Sequence, residues 1–492
     1  MATEICASRL LAPYYGSSTV VWANIIGLIL ASLSIGYWLG GRLADRHPSP
    51  RRLAALVLAA AVWVAAIPFV ARPFLDLSVE GIASLSTGAV VGSFIASLAL
   101  FAPPVVLLGT VTPFAIRLAA TGVDDAGRVA GRVFALSTAG SLLGTFVPAL
   151  ITIPLIGTQR TLLLAALVLA LAAAPLLGGR RRLLGFAAAA FCAALLALPA
   201  GVVKAQDGLL HEEESRYQFI QVVQSGPERL LYLNEGFAVH SVWRADTVLT
   251  GGEWDMFLTA PPLLGRPVHS VAILGNAAGT TARAFGEYYP QARIDGIEID
   301  PAVSAVGRRW FGLGDNPNLT VVTADARPFL AATRRTYDLI LIDAYRQPYV
   351  PFYLATREFF RLCRARLRPG GVVALNVSTV PRDDRLARAV AGTLATEFPQ
   401  VVTWQALRFN QFVVGFASPQ TRAALTTRLL TAPPDLLPDA RLFARDLRPA
   451  NPVERPWTDD RAPVEWITDR MIAAYAVRGA SSSELLLPTA PD

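Results

Sequence analysis

The sequence predicts two joined folds: an α-helical transmembrane bundle, then an α/β doubly wound, Rossmann-like domain that opens on a small β-hairpin region. Three observations predict this. Hydrophobic residues make up 53% of the 492 residues and mean hydropathy is +0.43, too apolar for an ordinary soluble enzyme. The apolar residues concentrate before Lys204, in blocks long enough to cross a bilayer, which takes about 20 helical residues. After Lys204 charge becomes dense, and from Val268 short apolar runs ending in Gly or an acid alternate with helical patterns. These shifts divide the chain into a bundle (1–204), a hairpin region (205–267), an α/β domain (268–475) and a tail (476–492).

The bundle's candidate spans are 18–40, 53–75, 85–109, 132–156, 160–178 and 183–203. Residues 1–16 read as the end of a further helix, giving six or seven spans. That segment lacks the basic start and small-residue cleavage site of a signal peptide, which leaves the completeness of the N-terminus open. Glu4 and Arg9 are costly at membrane depth unless paired or wet, and read as an interfacial or mutually paired position, or else as a polar site in the bundle. In "GYWLGGRLADRHPSPRR", Gly36, Gly40 and Gly41 allow close helix approach. This stretch resembles the short loop between helices two and three of major facilitator transporters. Net charge is +7 and the pI about 9.6. Much of the positive charge lies in short loops: Arg42, Arg46, Arg51 and Arg52, then Arg117, Arg128 and Arg132, then Arg180 to Arg182. That pattern is membrane topology rather than nucleic-acid binding. An integral, multi-pass protein of a bacterial-type inner or plasma membrane is expected, with lipid as partner and no nucleic acid. If 85–109 crosses once, the three basic loops share the inner side and the chain after 183–203 lies outside. The three prolines of "LFAPPVVLLGTVTPF" predict a kink or a re-entrant piece there.

In the soluble part, "VHSVAILG" is a strand, "NAAGTTARAFGEYYP" a turn and helix, and "ARIDGIEID" the next strand. "LTVVTAD", "YDLILIDAY" and "VVALNVS" are three more strands, and "TREFFRLCRARLRPGG" a helix with a Gly stop. Ligands of such sheets bind beyond the C-terminal strand ends. Gly275 and Gly279 there permit a tight turn and close backbone approach. Glu298 follows Gly275 by 23 positions, a spacing that suits a carboxylate accepting from ribose hydroxyls. Asp325 ends the third strand and is placed to accept from an adenine amino group. Asp343 ends the fourth, where a reacting group would sit. The competing reading is that Glu298 and Asp325 cap the helices that follow them. A dinucleotide fold is disfavoured, because "GNAAGT" has Ala277 in place of a second glycine. Cys6, Cys192 and Cys363 are too scattered for a disulfide framework, and no histidine pair suggests a metal.

Residues about 211–420 resemble the spermidine synthases, the polyamine aminopropyltransferases, and the whole chain resembles that family's membrane-anchored branch. The resemblance rests on "ESRYQFIQVV", "LYLNEGFAVHSVW", "GNAAGTTAR", "GIEIDP", "TADA" and "YDLILIDAYRQP", in the family's order. It implies an S-adenosylmethionine-methyltransferase-type sheet and aminopropyl transfer from decarboxylated S-adenosylmethionine to an amine. It implies Gln218 at the cofactor's sulfur end, and Glu298, Asp325 and Ala326 around its ribose and adenine. It implies Asp343 as the base, with Tyr345 positioning the amine. No metal is expected, and homodimerisation stays open.

The departures bear on the acceptor. Ala278 stands where the family's loop carries an Asp, and Arg346 stands where a second acid binds the diamine. Trp254 and Asp255 replace a Tyr-His pair. A guanidinium in the acceptor site repels an ammonium, so plain putrescine is not the expected acceptor. Asp255 and Glu235 are the candidate compensating acids. The alternatives are a methyltransferase using intact S-adenosylmethionine, and a non-catalytic adenosyl-ligand sensor or transport accessory.

Overall fold

The computed structural model describes residues 1–15, 19–82, 88–198, 203–234, 238–345 and 349–477. The chain divides into two compact units: Met1–Ala205 with Glu214–Phe219, and Gln206–Glu213 with the chain from Ile220 on.

The first unit is helical. Its helices are α1 (Ala2–Tyr15), α2 (Thr19–Arg46), α3 (Pro50–Ile82), α4 (Gly88–Leu100), α5 (Ala102–Gly109), α6 (Val111–Ala119), α7 (Val123–Val147), α8 (Ile153–Leu177) and α9 (Arg182–Ala197). Among the described residues, four stretches are long and apolar enough to cross a membrane: Val21–Arg46, Pro50–Leu75, Ala102–Ala119 and Val123–Leu177. The span expected at 85–109 differs from this. Its helix breaks after Leu100, restarts with Pro103 and Pro104 in the first turn of α5, and runs on through α6. Proline lacks the N–H a helix interior needs but is tolerated in a first turn, so the break falls where the prolines are. Conversely, α7 and α8 join through a wide turn at Pro148–Thr152, and the true reversal waits for Gly157, at φ +81°. The close approach expected of Gly36 and Gly40 is found: a Cβ on either would meet backbone of Val106, Gly109 or Thr110 within 3 Å.

In the second unit, β1 (Leu209–Glu214), β2 (Phe219–Ser225), β3 (Glu228–Leu233) and β4 (Val239–Arg244) form a four-stranded sheet in that order. An eight-stranded sheet follows. Its strands are β5 (Ser270–Leu274), β6 (Arg293–Glu298), β7 (Leu319–Thr323), β8 (Tyr337–Ile342), β9 (Leu367–Ser378), β10 (Gln400–Leu407), β11 (Asn410–Phe416) and β12 (Arg448–Ala450). Their order is β12-β10-β11-β9-β8-β5-β6-β7. The five expected strands are the parallel part, β9-β8-β5-β6-β7. The sheet is mixed rather than wholly parallel, because β10, β11 and β12 extend it antiparallel beyond β9.

The helices of this unit are α10 (Glu253–Phe257), α11 (Ala260–Leu263), α12 (Thr280–Tyr288), α13 (Pro301–Trp310), α14 (Ala326–Ala332), α15 (Arg357–Arg366), α16 (Arg385–Leu394), α17 (Arg422–Leu429), α18 (Leu437–Asp446) and α19 (Val464–Val477). Two apolar layers sandwich the large sheet. One gathers Phe257, Phe285, Leu339 and Trp404, the other Ile340, Phe359, Val373 and Leu386. Helix α15 stops at Arg366, before the expected glycines, because Leu367 already pairs with Tyr337 as β9 begins.

Candidate active site

The chain order of the strands reverses at β5, with β6 and β7 on one side and β8 and β9 on the other. The crevice at the C-terminal ends of β5 and β8 is therefore the switch point where such sheets bind ligands. Gly275 closes β5 at φ +90°, and a Cβ there would stand 2.6 Å from backbone atoms of Asp343 and Ala344. The turn continues through Ala277, itself at φ +44°, to Gly279 at φ +94°, which opens α12. The four-stranded sheet secures the turn: Ala278 N donates to Ser241 Oγ at 3.0 Å, and Thr280 Oγ1 accepts from Val242 N at 2.9 Å. The buried Asn276 side chain faces Gly296, and neither its Oδ1 nor its Nδ2 has a hydrogen-bond partner.

Glu298, at the end of β6, accepts from Ala277 N through Oε2 and from Asp300 N through Oε1, both at 2.9 Å. It is 7% exposed. Burial outweighs those two bonds and pushes its carboxyl up to about 7. The cap of α13 is the neighbouring Asp300, whose Oδ1 accepts from Ala302 N. Asp325 does cap a helix: its Oδ1 accepts from Arg327 N at 3.0 Å, and its Oδ2 from Tyr353 at 3.0 Å. Ala326 is the first residue of that helix, with its side chain buried.

Asp343 follows β8, its backbone N still paired to Leu274 O at 2.9 Å. Among the described residues one hydrogen bond reaches its side chain, from Asn376 Nδ2 to Oδ1 at 3.1 Å. Asn376 is itself oriented by Asn410, which donates to its Oδ1 at 3.0 Å. Burial lifts the Asp343 carboxyl to about 6. The Tyr345 hydroxyl donates to Asn376 O at 2.9 Å and accepts from Ser378 N at 2.8 Å. Its one proton is thus committed to the end of β9, and toward a ligand it can only accept.

The candidate acids of the acceptor side fall differently. Asp255 is buried in α10, where its carboxylate accepts from Thr250 N, Thr250 Oγ1 and Gly251 N. It ties a loop rather than standing open. Glu235 and Arg346 lie outside the described residues. Gln218 belongs to the first unit, where its backbone carbonyl accepts from Ser215 N and Oγ. Two groups escaped the sequence reading. Glu253, in the first turn of α10, is half-buried and electrostatically coupled to Asp343. The single signal for it was an acid after "TGG", where a short helix begins. His240 sits on β4 beside Ser241, its Nδ1 3.1 Å from Ala238 O, and burial pushes it down to about 4. No spacing pattern marks it.

Residues 256–414 match the family described as the spermine/spermidine synthase domain. Over this stretch the chain is similar to that family. It is 36% identical over 195 residues to a probable polyamine aminopropyl transferase of Bifidobacterium longum, covering 39% of this chain and 43% of that one. It is 31% identical over 182 residues to a polyamine aminopropyltransferase of Vibrio vulnificus, covering 35% and 60%. The chain thus spans roughly half the length of these curated relatives. A probable spermidine synthase of Corynebacterium glutamicum aligns in structure with TM-score 0.41 and 20% identity, covering 53% of this chain and all of that one.

Proposed function

We propose that this chain is a membrane-anchored aminopropyltransferase, moving an aminopropyl group from decarboxylated S-adenosylmethionine to an amine acceptor other than plain putrescine. The observation that carries the reading is the row of acids at consecutive strand ends. Glu298, Asp325 and Asp343 follow β6, β7 and β8, and among the described residues no lysine or arginine pairs with Asp343 or Glu253. A site so charged favours a sulfonium donor whose tail ends in an amine, and disfavours one ending in a carboxylate.

Glu298 then takes the ribose hydroxyls with its remaining lone pairs. Asp325 and Ala326 border the adenine, and Gly275 and Gly279 admit the donor close to the backbone. Asp343, held by Asn376, removes a proton from the acceptor amine, and Tyr345 accepts a hydrogen bond from it. Alignment of amine and sulfonium carbon supplies most of the acceleration, and the base about 10²–10⁴-fold. Arg346 and Glu235 are the groups assigned to the far end of the acceptor site, Asp255 being tied to the Thr250 loop. The division into bundle, hairpin region, α/β domain and tail, with the bundle in an inner or plasma membrane, belongs to the same proposal.

The test is an assay of full-length protein in detergent with decarboxylated S-adenosylmethionine and each of n-butylamine, 4-aminobutyrate and putrescine. Methylthioadenosine release with the first two, and little with putrescine, is expected. Robust spermidine formation refutes the acceptor assignment. Methyl transfer from intact S-adenosylmethionine replaces the donor, and adenosyl binding without turnover of any amine makes the chain a sensor.

A further inference from the structure

We propose that Glu253 is a second carboxyl group at the acceptor end, gripping the arriving ammonium together with Asp343 and sharing the removal of its proton. The inference rests on the aminopropyl-transfer reading and specifies how that site receives its acceptor. Its basis is where α10 is seated. Phe257, the last residue of that helix, meets Phe412 of β11 with ring centroids 4.7 Å apart. Phe412 is the register partner of Asn376, and Asn376 holds Asp343. Glu253 lies one turn before Phe257, so the same packing brings its carboxyl toward the mouth of β8, within electrostatic reach of both Asp343 and Tyr345.

Among the described residues, the other charged or titratable groups around α10 lie as follows. Asp255 is tied to Thr250 and Gly251, and faces Asp439. On α12, Arg283 donates to the carbonyls of Arg244 and Thr247, with Glu287 and Asp315 as its charged neighbours. Tyr288 donates to Asp435, and Tyr289 to Leu258 O. Strand β10, which also packs on α10, carries no ionisable side chain. The Glu253 carboxyl has no partner among the described residues beyond its own backbone N–H.

Two carboxyls within electrostatic reach of each other and without a counter-cation resist ionising together. Burial, then the charge of Asp343, lifts Glu253 to about 8, while Asp343 stands at about 6. Near neutral pH the pair therefore holds about one proton, and a cationic guest lets it go to solvent. The bound ammonium then passes one of its own protons to the pair, becoming a neutral amine. The nitrogen lone pair forms a bond to the aminopropyl carbon as the C–S bond breaks. That bonding pair returns to sulfur, leaving neutral methylthioadenosine and a secondary ammonium, whose extra proton leaves to solvent. The pair handles one ammonium only, so it is compatible with an acceptor whose far end is uncharged or anionic.

The experiment is calorimetry of n-butylamine binding to full-length protein saturated with methylthioadenosine, at pH 7 in two buffers of different ionisation enthalpy. Wild type is expected to release about one proton per site. Glu253→Gln is expected to release far less and bind at least about tenfold more weakly, with Glu253→Asp restoring part of both. In turnover, kcat/KM of wild type rises through about 6 and again through about 8, and Glu253→Gln keeps only the lower step. Equal proton release and affinity in wild type and Glu253→Gln overturns the proposal, as does wild type that binds no amine. Wild type that binds with proton release yet never forms methylthioadenosine sinks aminopropyl transfer and leaves the acid pair standing. Turnover whose pH profile ignores Glu253→Gln does the reverse.

Discussion

Asp343 holds its position by its backbone pairing to β5 and a single amide donor, so its carboxyl can be neutralised without dismantling the strand end. Asp343→Asn keeps the shape and removes the proton acceptor. Turnover is expected to fall at least about a hundredfold while methylthioadenosine still binds. Undiminished turnover would exclude Asp343 as the base. On the donor side, Glu298→Ala and Asp325→Ala are each expected to weaken methylthioadenosine binding by about 1.5–3 kcal/mol, the scale of a hydrogen bond to a charged group. Asp325 also caps α14, so its variant needs a thermal-midpoint control, and unchanged calorimetric affinity in both variants would remove the adenosyl assignment. Glu298 makes a further prediction through pH. Its carboxyl rises from an ordinary 4.5 to about 7 because burial disfavours the charge. A raised acid favours the folded state when protonated, so that stability is present below about 4.5 and lost as pH climbs through about 7. The thermal midpoint of wild type is expected to fall between pH 5 and 8, and Glu298→Gln to flatten the fall. An identical slope in the variant would contradict it.

Among the elements, the Gly275 turn binds β5 to the site most tightly. A methyl group there must enter backbone of Asp343 and Ala344 at 2.6 Å, on a residue at φ +90°. Gly275→Ala is expected to cost about 2 kcal/mol or more, read as a lowered thermal midpoint together with lost methylthioadenosine binding. A variant as stable as wild type would mean the turn can shift without penalty. This turn was legible in the sequence, because a glycine after an apolar run and an acid after the next mark β5 and β6 by local chemistry alone. The hairpin β10–β11 was less so. "VVTWQALRFNQFVVGF" is apolar enough for strands, but joining them to β9 is a pairing across distance that no local pattern encodes. Glu253 and Asp255 show the same limit at closer range. Two acids two residues apart look equivalent in sequence, yet one turns back to close the Thr250 loop and the other feels the charge of Asp343. Tyr345 likewise reads as a site residue, and only the register of β9 shows its hydroxyl spent on Asn376 and Ser378.

Across the whole molecule the open question is which side of the membrane the second unit works on, and the interior of the first unit bears on it. The arginine-rich turns gather at one end of the bundle. Arg117 pairs with Asp45 at 3.6 Å, Ala44, Leu53, Phe114 and Leu177 share one cluster, and a Cβ on Gly178 would lie 3.8 Å from Arg51 Nε. Helix α8 leads away from that end, its far turn starting at Thr158 after the Gly157 reversal. Nineteen residues separate Thr158 from Leu177, a rise of about 29 Å, close to the thickness of a bilayer core. Helix α9 returns along α8, with Gly185 against Ala174, and ends where Arg160 donates to Leu198 O. There too the Glu214 carboxylate accepts from Thr158 N and Oγ1 at 3.0 and 2.6 Å. The chain therefore leaves the bundle at the end opposite Arg42, Arg46, Arg51, Arg52 and Arg180 to Arg182. Basic turns of that density favour the cytoplasm, so the expectation from charge is that the chain after 183–203 lies outside. A reporter fused after Asp492 is expected to be active as alkaline phosphatase and dark as a cytoplasmic fluorescent protein. The opposite pattern would overturn the charge argument and return the site to the cytosol. The expected outcome carries its own demand. A sulfonium cation does not cross hydrocarbon unaided, so a site on the outer face must receive its donor through a protein, and the bundle fused to it becomes the first candidate to supply it.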